Sequence, residues 1–565
     1  MKKFNEYVYE RPNMALFESR FNDALASFQK ASSFQDAKDS FEVMNDLRRE
    51  FDTMSTLASI RHTIDTKDEF YDAEESFFNE HRPIFEQLEH RLYQALTSSD
   101  YEKALREEKG NLLFDKAAQT LKTFSDEILE DLKKENKLTF QYQKLLASAE
   151  IDFMGEVRNL SQMAPFLQSK DRATRKQASD EIANFFESNE EILDDIYDQL
   201  VKLRHQMAKT LGYDNYIQLA YDKLGRLDYH PDDVANYRQQ VKEHMVPLVK
   251  TLIDRQAKRL NIAEMKSYDL PLSYLSGNPT PKGDRQWMVD KARKMYHAMS
   301  TETKVFFDFM ETRELMDLDA KKGKAGGGYC TYIFDEKSPF IFANFNGTSH
   351  DVDVLTHEAG HAFQVFMSRD YNVLEYIWPT LEACEIHSMS MEFFAWPWID
   401  SFFEEDTDKY RFSHIEGALK FIPYGVAVDE FQHRVYENPT LTPKERKQLW
   451  REIEKTYLPY KDYDGNAFFE RGGFWFRQSH IFEVPFYYID YTLAQVCAFQ
   501  YWHRSQKDYQ SAWESYLKLC QLGGSKTFLE LLEEVGLENP FKTGTIASVI
   551  PSLKSFLDSI DDTKF

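Results

Sequence analysis

The chain of 565 residues lacks the features that mark several large classes of protein. It has four cysteines, none of them in a CxxC pair, so neither a disulfide framework nor a sulfur-ligated metal site is indicated. No uncharged apolar run approaches the roughly 18 residues that span a bilayer. The first residues contain no apolar segment of a secretory signal. We therefore expect a cytoplasmic protein with reduced thiols and no membrane partner.

Basic residues are also fewer than acidic ones. The chain has 69 Lys and Arg against 94 Asp and Glu, which gives a net charge of -25. A surface of this sign repels polyphosphate, so nucleic acid is a poor candidate for a partner. The GxxxxGK[ST] pattern of a phosphate-binding loop is missing as well. We interpret most of the acidic residues as a solvated surface.

Glycine is scarce in the first part of the chain, where only Gly110, Gly155 and Gly212 occur. From Met14 to Tyr213, apolar residues recur at three- and four-residue intervals without a longer repeat, a pattern typical of amphipathic helices. No linker rich in Pro, Gly or Ser divides the chain. We therefore predict a mainly α fold with a helical scaffold lobe at residues 1–213 and a second lobe, which carries the motifs described below, at residues 214–565, joined in one continuous fold.

The composition changes between Asp269 and Gly347. The runs YCTYIF and FIFANF are rich in β-branched and aromatic residues and flank a polar turn, which predicts the one sheet that we expect in this chain. Three glycines, Gly326 to Gly328, precede the first run. They indicate either a mobile flap that approaches a ligand through its backbone or an ordinary loop.

The stretch THEAGHAFQ contains a HExxH motif on a helix that Thr348 or Ser349 could cap. On a helix, His357 and His361 are one turn apart and share a face, so their imidazoles can bind one metal ion. Glu358 lies about 100° around the helix axis from His357. That position suits a general base next to the metal better than a third ligand.

A third ligand is needed to hold zinc firmly. A second helix, predicted to begin near Pro379, carries Glu382, Glu385 and Glu392 among apolar neighbours, so at least one carboxylate is expected to be buried with a partner. Spacing alone leaves both Glu382 and Glu385 open as the ligand, with Glu385 favoured.

Other residues near the motif have less direct roles. Glu392, and Asp353 one turn before His357, would either hydrogen-bond a ligand histidine or lie in water. His387 points about 200° away from Glu385 on the helix, so we assign it a structural role.

Hydrolysis of an amide generates an oxyanion that needs hydrogen-bond donors. The segment HIFEVPFYYIDY offers His480, and Pro485 suits the first turn of a helix on which Tyr487 or Tyr488 would share a face with Tyr491. The alternative is that these rings only fill the core.

These motifs carry a resemblance to a known family. The run PFIFANFNGTSHDVDVLTHEAGHAFQ, then Glu385 followed by Ser388 and Glu392, then HIFEVPFYYIDYTLAQ, resembles the thimet oligopeptidase and oligoendopeptidase F family of zinc metallopeptidases. The Pz-peptidase-like bacterial branch is the most similar in length and order, and the resemblance is strongest from Gly323 to Tyr501.

The resemblance implies a helical ellipsoid divided by a deep channel, with one zinc ion at its floor. It implies His357, His361 and Glu385 as ligands and Glu358 as general base and later acid. His480 and Tyr491 match the residues that stabilise the tetrahedral intermediate. Whether Tyr487 or Tyr488 joins them stays open.

The resemblance also implies that a peptide binds as an extended strand along the edge from Gly328 to Phe334, with Gly327, Gly328 and Tyr329 in contact with it. We expect an endo-oligopeptidase that cleaves short unfolded peptides. The alternatives are a metallocarboxypeptidase or dipeptidyl carboxypeptidase and, from a different class, a helical binding scaffold without activity. The sequence leaves the oligomeric state and the cleavage preference open.

Overall fold

The computed structural model describes residues 2–565. As the sequence predicts, the fold is mainly α: 71% of the chain is helical, with a small sheet. Along residues 2–565, no helix is both long enough and apolar enough to cross a membrane.

Up to Lys223 the regular elements are α1 (Met14–Gln29), α2 (Phe34–Ile64), α3 (Glu69–Thr97), α4 (Glu102–Lys109), α5 (Asn111–Lys122), α6 (Leu129–Ala147), β1 (Ile151–Phe153), β2 (Glu156–Arg158), α7 (Leu160–Leu167), α8 (Arg172–Ser188), α9 (Glu190–Thr210) and α10 (Tyr216–Lys223). Most of these helices begin after a side chain that accepts a backbone N–H, such as Asn13, Ser33 and Asp68.

The remaining elements are α11 (Pro231–Gln240), α12 (Val246–Arg259), α13 (Arg285–Met299), α14 (Thr301–Thr312), β3 (Met316–Asp319), β4 (Tyr329–Ile333), β5 (Ser338–Phe345), α15 (Ser349–Ser368), α16 (Leu381–Phe394), α17 (Asp400–Phe403), α18 (Thr407–Glu437), α19 (Pro443–Tyr457), α20 (Ala467–Glu470), α21 (Ser479–Glu483), α22 (Tyr488–Lys507), α23 (Tyr509–Leu522), α24 (Phe528–Glu534) and α25 (Thr545–Ser559). Short 3-10 turns and one π-helical stretch, Val241–Met245, connect several of them.

The sheet next to the HExxH helix has the strand order β3-β5-β4. The two strands expected from YCTYIF and FIFANF are β4 and β5, which pair antiparallel with Tyr329 opposite Phe342. The central strand β5 is largely buried, and β4 leaves one edge unpaired by other strands. The third strand, β3, was not predicted, because MDLD is short and acidic and pairs parallel to β5 only through the tertiary fold.

The prediction of continuous helix from Met14 to Tyr213, with only one sheet in the chain, is wrong at one place. Strands β1 and β2 form an antiparallel hairpin with Ile151 opposite Arg158. Its turn contains Met154 and Gly155, which have φ values of 54° and 81°. Two successive residues with positive φ favour a two-residue hairpin turn, and glycine at the second position makes that turn accessible.

The apolar side chains form two main clusters. The smaller one joins α1 to α5 and includes Val373 and Tyr376 from the segment after α15. The larger one fills the rest of the molecule, including the faces of α15, α16, α18 and α22. This larger cluster continues across residues 213 and 214, so the division into two lobes at that point stays a prediction.

Helix α16 lies against both α15 and α22. The approach to α15 is close at Gly360, where a Cβ atom would lie 2.6 Å from the carbonyl oxygen of His387 and 2.7 Å from the Cα atom of Ser388. Both of those atoms are backbone, so they cannot move aside as the end of a side chain could. Glycine at position 360 therefore sets how near the two helices can come.

We expect Gly360→Ala to lower the free energy of unfolding by about 1–3 kcal/mol, because overpacking at a helix contact strains both partners. The matched control is Gly417→Ala on α18, where a Cβ atom would meet nothing within 4 Å. That exposed helical glycine should gain about 0.5–1 kcal/mol on the same change. Urea unfolding of both variants measures the difference, and equal stability of Gly360→Ala and the parent protein would contradict the close approach.

Candidate metal centre

Two imidazoles and one carboxylate converge between α15 and α16. The Nε2 atoms of His357 and His361 lie 3.4 Å and 3.6 Å from the same Oε2 atom of Glu385. The two histidines come from successive turns of α15, and their ring centroids are 5.1 Å apart. The structure thus brings together the three residues expected as metal ligands.

The donor set fits a single divalent metal ion. Two ligands bound at about 2.1 Å in a tetrahedral site lie about 3.4 Å from one another, close to the separations between Glu385 and the histidines. Two imidazole nitrogens and one carboxylate oxygen leave the fourth tetrahedral position free. Although burial opposes ionisation, hydrogen bonding to His357 and His361 holds the pKa of Glu385 well below its usual value. A metal ion at this position would take the place of those hydrogen bonds, with Glu385 ionised and both Nε2 atoms unprotonated.

Glu385 is held by two further contacts. The Ser388 hydroxyl donates to its Oε2 atom at 3.0 Å, and the Tyr487 hydroxyl donates to its Oε1 atom at 3.2 Å. Only 6% of the Glu385 residue surface is exposed. The carboxylate consequently has one orientation, with its free lone pairs toward the histidines.

Glu392 lies behind His357 and joins it to a second histidine that the sequence did not suggest. Its Oε1 atom is 2.7 Å from Nδ1 of His357, and its Oε2 atom is 2.6 Å from Nε2 of His414 on α18. The indole N–H of Trp396 donates to Nδ1 of His414 at 3.0 Å. Despite its burial, hydrogen bonds from the two histidines lower the pKa of Glu392 to about 2.

This chain of hydrogen bonds selects one tautomer for each ring. The Nδ1 atom of His414 accepts a hydrogen bond from the Trp396 indole and is therefore unprotonated. The proton of this ring is then on Nε2, which donates to Glu392. His357 then donates from Nδ1 to the other oxygen of Glu392, which leaves the Nε2 lone pair directed at the metal position.

The other residues considered as ligands or supports lie elsewhere. Asp353 does not contact His357 through a hydrogen bond; it accepts one from the Tyr410 hydroxyl at 2.5 Å. Glu382, only 1% exposed, lies near Arg226 instead of the histidines: burial raises the pKa of its carboxyl and the arginine opposes that rise. His387 is fully buried outside the ligand group, and burial lowers its pKa to about 3.

Glu358 faces the loop of glycines that precedes β4. A Cβ atom on Gly328 would lie 3.7 Å from Oε1 of Glu358 and 3.3 Å from the carbonyl oxygen of Phe342. Gly327 has a φ of 86°, a conformation that side-chain-bearing residues rarely adopt. The loop therefore passes close to the HExxH helix through its backbone.

Strand β4 borders an open cavity along part of its length. Three consecutive residues, Tyr329, Cys330 and Thr331, line a space of about 440 Å³ whose other side is formed by α2 and α3. Because alternate side chains of a strand point to opposite faces, three neighbours can border one cavity only along the backbone edge. The free edge of β4 thus faces space that an extended chain could enter.

His480 and three tyrosines form a cluster that reaches Glu385 through the Tyr487 hydroxyl. The centroid of the His480 ring is 5.8 Å from Tyr487, 4.8 Å from Tyr488 and 5.9 Å from Tyr491. Burial raises the pKa of Tyr491 to about 12 and lowers the pKa of His480. These groups are neutral hydrogen-bond donors at physiological pH.

The expectation that a helix begins at Pro485 is wrong: α22 begins at Tyr488. Phe486 has a φ of 69°, which no helix accommodates. Its N–H donates to the Gln432 side chain at 3.0 Å. Tyr487 nevertheless adopts helical φ and ψ at the helix start, so its ring and that of Tyr491 remain neighbours at 4.9 Å.

Two residues that the sequence did not single out orient His480. The Tyr424 hydroxyl donates to Oε1 of Gln478, and Nε2 of Gln478 contacts Nδ1 of His480, both at 2.8 Å. Since the amide nitrogen can only donate, Nδ1 of His480 accepts and its Nε2 atom carries the proton. No short-range pattern marks Gln478, because its role depends on Tyr424 from α18.

Replacing Glu392 tests the hydrogen-bond chain behind His357. We expect Glu392→Gln to weaken metal affinity by about 10- to 100-fold, because the amide cannot accept from both histidines. Competition with a chromogenic chelator measures the affinity. The control is Glu437→Gln, an exposed glutamate at the end of α18, which should leave metal affinity unchanged; an equal loss in both variants would contradict a specific role for Glu392.

Comparisons with known proteins place most of the chain in one family. The model for peptidase family M3 matches residues 166–278 and 289–549, and the model for the peptidase M3 N-terminal domain matches residues 4–124. An oligoendopeptidase F homolog of Borreliella burgdorferi is 24% identical over 476 residues, which cover 81% of this chain and 76% of the relative.

Solved structures extend the likeness to the whole chain. The structure of Pz peptidase A with an inhibitor superposes with a TM-score of 0.94 at 55% identity and covers 99% of this chain and 100% of its own. A structure from Bacillus anthracis str. Ames that carries the name oligoendopeptidase F superposes with a TM-score of 0.90 at 51% identity, covering 100% of both chains. The chain therefore belongs to peptidase family M3, whose members are metallopeptidases.

Proposed function

We propose that this protein is a zinc-dependent endo-oligopeptidase that hydrolyses internal bonds of short unfolded peptides. The observation that carries the proposal is the convergence of His357, His361 and Glu385 beside Glu358. Membership of a peptidase family supports peptides as the substrate class, and the net charge of -25 argues against nucleic acid.

Zinc is the metal that best suits the donor set of two imidazoles and one carboxylate with one open position. His357, His361 and Glu385 would hold it. When bound, the ion supplies Lewis-acid chemistry, polarising the carbonyl of the peptide bond and making water acidic near neutral pH. The hydrogen bond from His357 to Glu392 keeps the imidazole lone pair available to the ion.

Glu358 is the general base in this proposal. It follows the first ligand histidine on α15 and is only 8% exposed. Its carboxylate takes a proton from the attacking water and then gives that proton to the amine that leaves, so one side chain serves as base and then as acid.

His480 and Tyr491 donate to the oxyanion of the tetrahedral intermediate. The protonated Nε2 atom of His480 is the free donor that its bond with Gln478 leaves. We assign Tyr487 as the second tyrosine, with a supporting role: its hydroxyl donates to the proposed metal ligand Glu385 and holds that carboxylate in place. Tyr488 instead packs between His480 and Tyr424. Neutral donors that are fixed before the reaction stabilise developing charge without reorganising.

The peptide adds as a strand to the free edge of β4, with Gly327, Gly328 and Tyr329 in contact with it. Main-chain hydrogen bonds along an edge strand do not depend on side-chain identity. In this arrangement the lobe at residues 1–213 supplies the opposite wall through α2 and α3, and the lobe at residues 214–565 supplies the strand and the metal ligands. We infer that such a cavity of about 440 Å³ takes an extended peptide segment and is too small for a folded domain.

The cytoplasm suits this protein best. All four cysteines, Cys330, Cys384, Cys497 and Cys520, are free thiols. Burial raises the pKa of the Cys497 and Cys520 thiols, which keeps them protonated and unreactive.

Glu358→Gln should separate catalysis from metal binding. We expect the variant to lose about 10²- to 10⁴-fold in kcat, because the base is removed, while elemental analysis still finds zinc near one ion per chain. His357→Ala should lose the zinc as well. The control Glu452→Gln changes an exposed glutamate on α19 and should alter neither quantity; full activity of Glu358→Gln would exclude the proposed base.

A cleavage assay distinguishes an endopeptidase from a carboxypeptidase or dipeptidyl carboxypeptidase. The substrate is a peptide of about ten residues that is acetylated at its N-terminus and amidated at its C-terminus. We expect internal cleavage, because the strand-like binding along β4 requires neither terminus. Mass spectrometry of the products identifies the cleaved bond. A blocked peptide that stays intact while its unblocked form loses C-terminal residues would show a carboxypeptidase instead.

A further inference from the structure

A second cavity, of about 420 Å³, lies beside the candidate catalytic cluster. Its walls come from α8, from α18 and from the segment between α19 and α21. This volume is in the range of pockets that bind a small ligand, or one part of a larger ligand. None of the residues used so far for metal binding or proton transfer lies in its lining.

The charge of this cavity is opposite to that of the chain. Its lining contains Lys420, Lys461 and Arg477 and no aspartate or glutamate, although acidic residues outnumber basic ones by 94 to 69 in the sequence. All three charged residues of the lining are cationic, so the cavity offers its charged groups to an anion and not to a cation.

Each of the two lysines pairs with a glutamate that does not line the cavity. Lys461 pairs with Glu454 at 3.0 Å, and Lys420 pairs with Glu416 at 3.3 Å and donates to Gln256 at 2.9 Å. Burial, together with the charges of Arg477 and Arg451, lowers the pKa of Lys461 to about 8 despite its partner Glu454.

Arg477 differs from the lysines. Within residues 2–565 it forms no ion pair and no side-chain hydrogen bond. Its guanidinium carbon lies 5.0 Å from the centre of the Phe474 ring, so the planar group is held over an aromatic face with its donors free. A planar guanidinium with free donors matches a carboxylate, which can accept two parallel hydrogen bonds.

The cavity and the candidate catalytic cluster share one wall. Tyr424 and Gln478 line the cavity, and the same Gln478 contacts Nδ1 of His480 at 2.8 Å. Burial raises the pKa of Tyr488, which packs on His480, and the charge of Arg477 opposes that rise. Arg477 is three residues from His480 in the chain, so their Cα atoms lie within about 11 Å of each other, a distance that a few extended peptide residues cover.

We propose that this cavity is a substrate subsite that binds a carboxylate of the peptide, with Arg477 as the recognition residue. The proposal rests on the peptidase function proposed above and names a chemical preference of the same site. The carboxylate is the C-terminus of a short peptide, or an acidic side chain at the same distance from the cleaved bond. A terminal carboxylate held there favours substrates of a limited length on that side.

The test compares three peptides of one sequence: a free acid, a C-terminal amide, and an amide whose last residue is glutamate. With the full-length zinc-loaded protein, we expect kcat/KM for the free acid to exceed that of the amide by about tenfold, mainly through KM, as a charge-assisted hydrogen bond allows. Arg477→Gln should reduce this ratio to about one. Arg477→Lys should retain part of it, because the charge is kept without the fork of donors.

The glutamate amide identifies the source of the carboxylate. Tight binding of the free acid alone assigns the subsite to the C-terminus, and equal gain by the glutamate amide extends it to acidic side chains. The matched control is Arg434→Gln, an exposed arginine of α18 outside the cavity, which should keep the tenfold ratio. Cleavage of the free acid and the amide with equal kcat/KM, or an unchanged ratio in Arg477→Gln, would overturn the subsite; absence of cleavage of all three peptides would instead overturn the proposed function.

Discussion

The close approach of α15 and α16 at Gly360 is the contact on which the rest of the site depends. It places the backbone of His387 and Ser388 against the HExxH helix, so the carboxylates one turn to either side, Glu385 and Glu392, come within reach of its histidines. A larger residue at 360 would separate the helices, and a carboxylate moved by 1 Å no longer closes a tetrahedral site. Metal binding in this protein therefore depends on the packing of α15 against α16.

Hydrogen-bond chains behind His357 and behind His480 then determine the tautomer of each of these histidines. Behind His357, the proton sequence from Trp396 through His414 to Glu392 leaves a lone pair facing the metal position. Behind His480, the hydrogen bonds from Tyr424 through Gln478 leave the proton of His480 on Nε2, where the proposed mechanism needs a donor. Histidine thus serves as a metal ligand at position 357 and as a hydrogen-bond donor at position 480. The reason is that Nδ1 faces an acceptor in His357 and a donor in His480.

Local patterns in the sequence predicted the parts of this site that lie within one element. The HExxH spacing, the helix around it and the two strands before it follow from periodicity and composition. The choice between Glu382 and Glu385 does not: both lie on one helix with apolar neighbours, and only the crossing with α15 turns Glu385 to the histidines and Glu382 toward Arg226. His414 and Gln478 were missed for the same reason, since their partners are distant in the chain. The start of α22 was misplaced because the positive φ of Phe486 comes from its tertiary contact with Gln432 and not from its residue type.

The segment around His480, which carries the proposed oxyanion donors, contains only short helical turns, and its backbone carbonyls accept hydrogen bonds from distant side chains. Arg204 on α9 donates to the carbonyl of Phe482 at 2.5 Å, and the Tyr142 hydroxyl on α6 donates to the carbonyl of Phe476 at 2.9 Å. Both come from the region expected to be a scaffold.

A third anchor comes from Arg226, which donates to the carbonyl of Phe486 at 2.7 Å and to Asp490 at 2.6 Å. The Arg226 side chain is fully buried and that of Asp490 is 1% exposed, so breaking the pair would leave a charge without a partner inside the protein. Such buried pairs add little net stability, but they penalise any backbone arrangement that separates their members. Through Tyr142 and Arg204, the helical first half of the chain therefore fixes the backbone around His480, whose donors the proposed mechanism needs in position before the transition state forms.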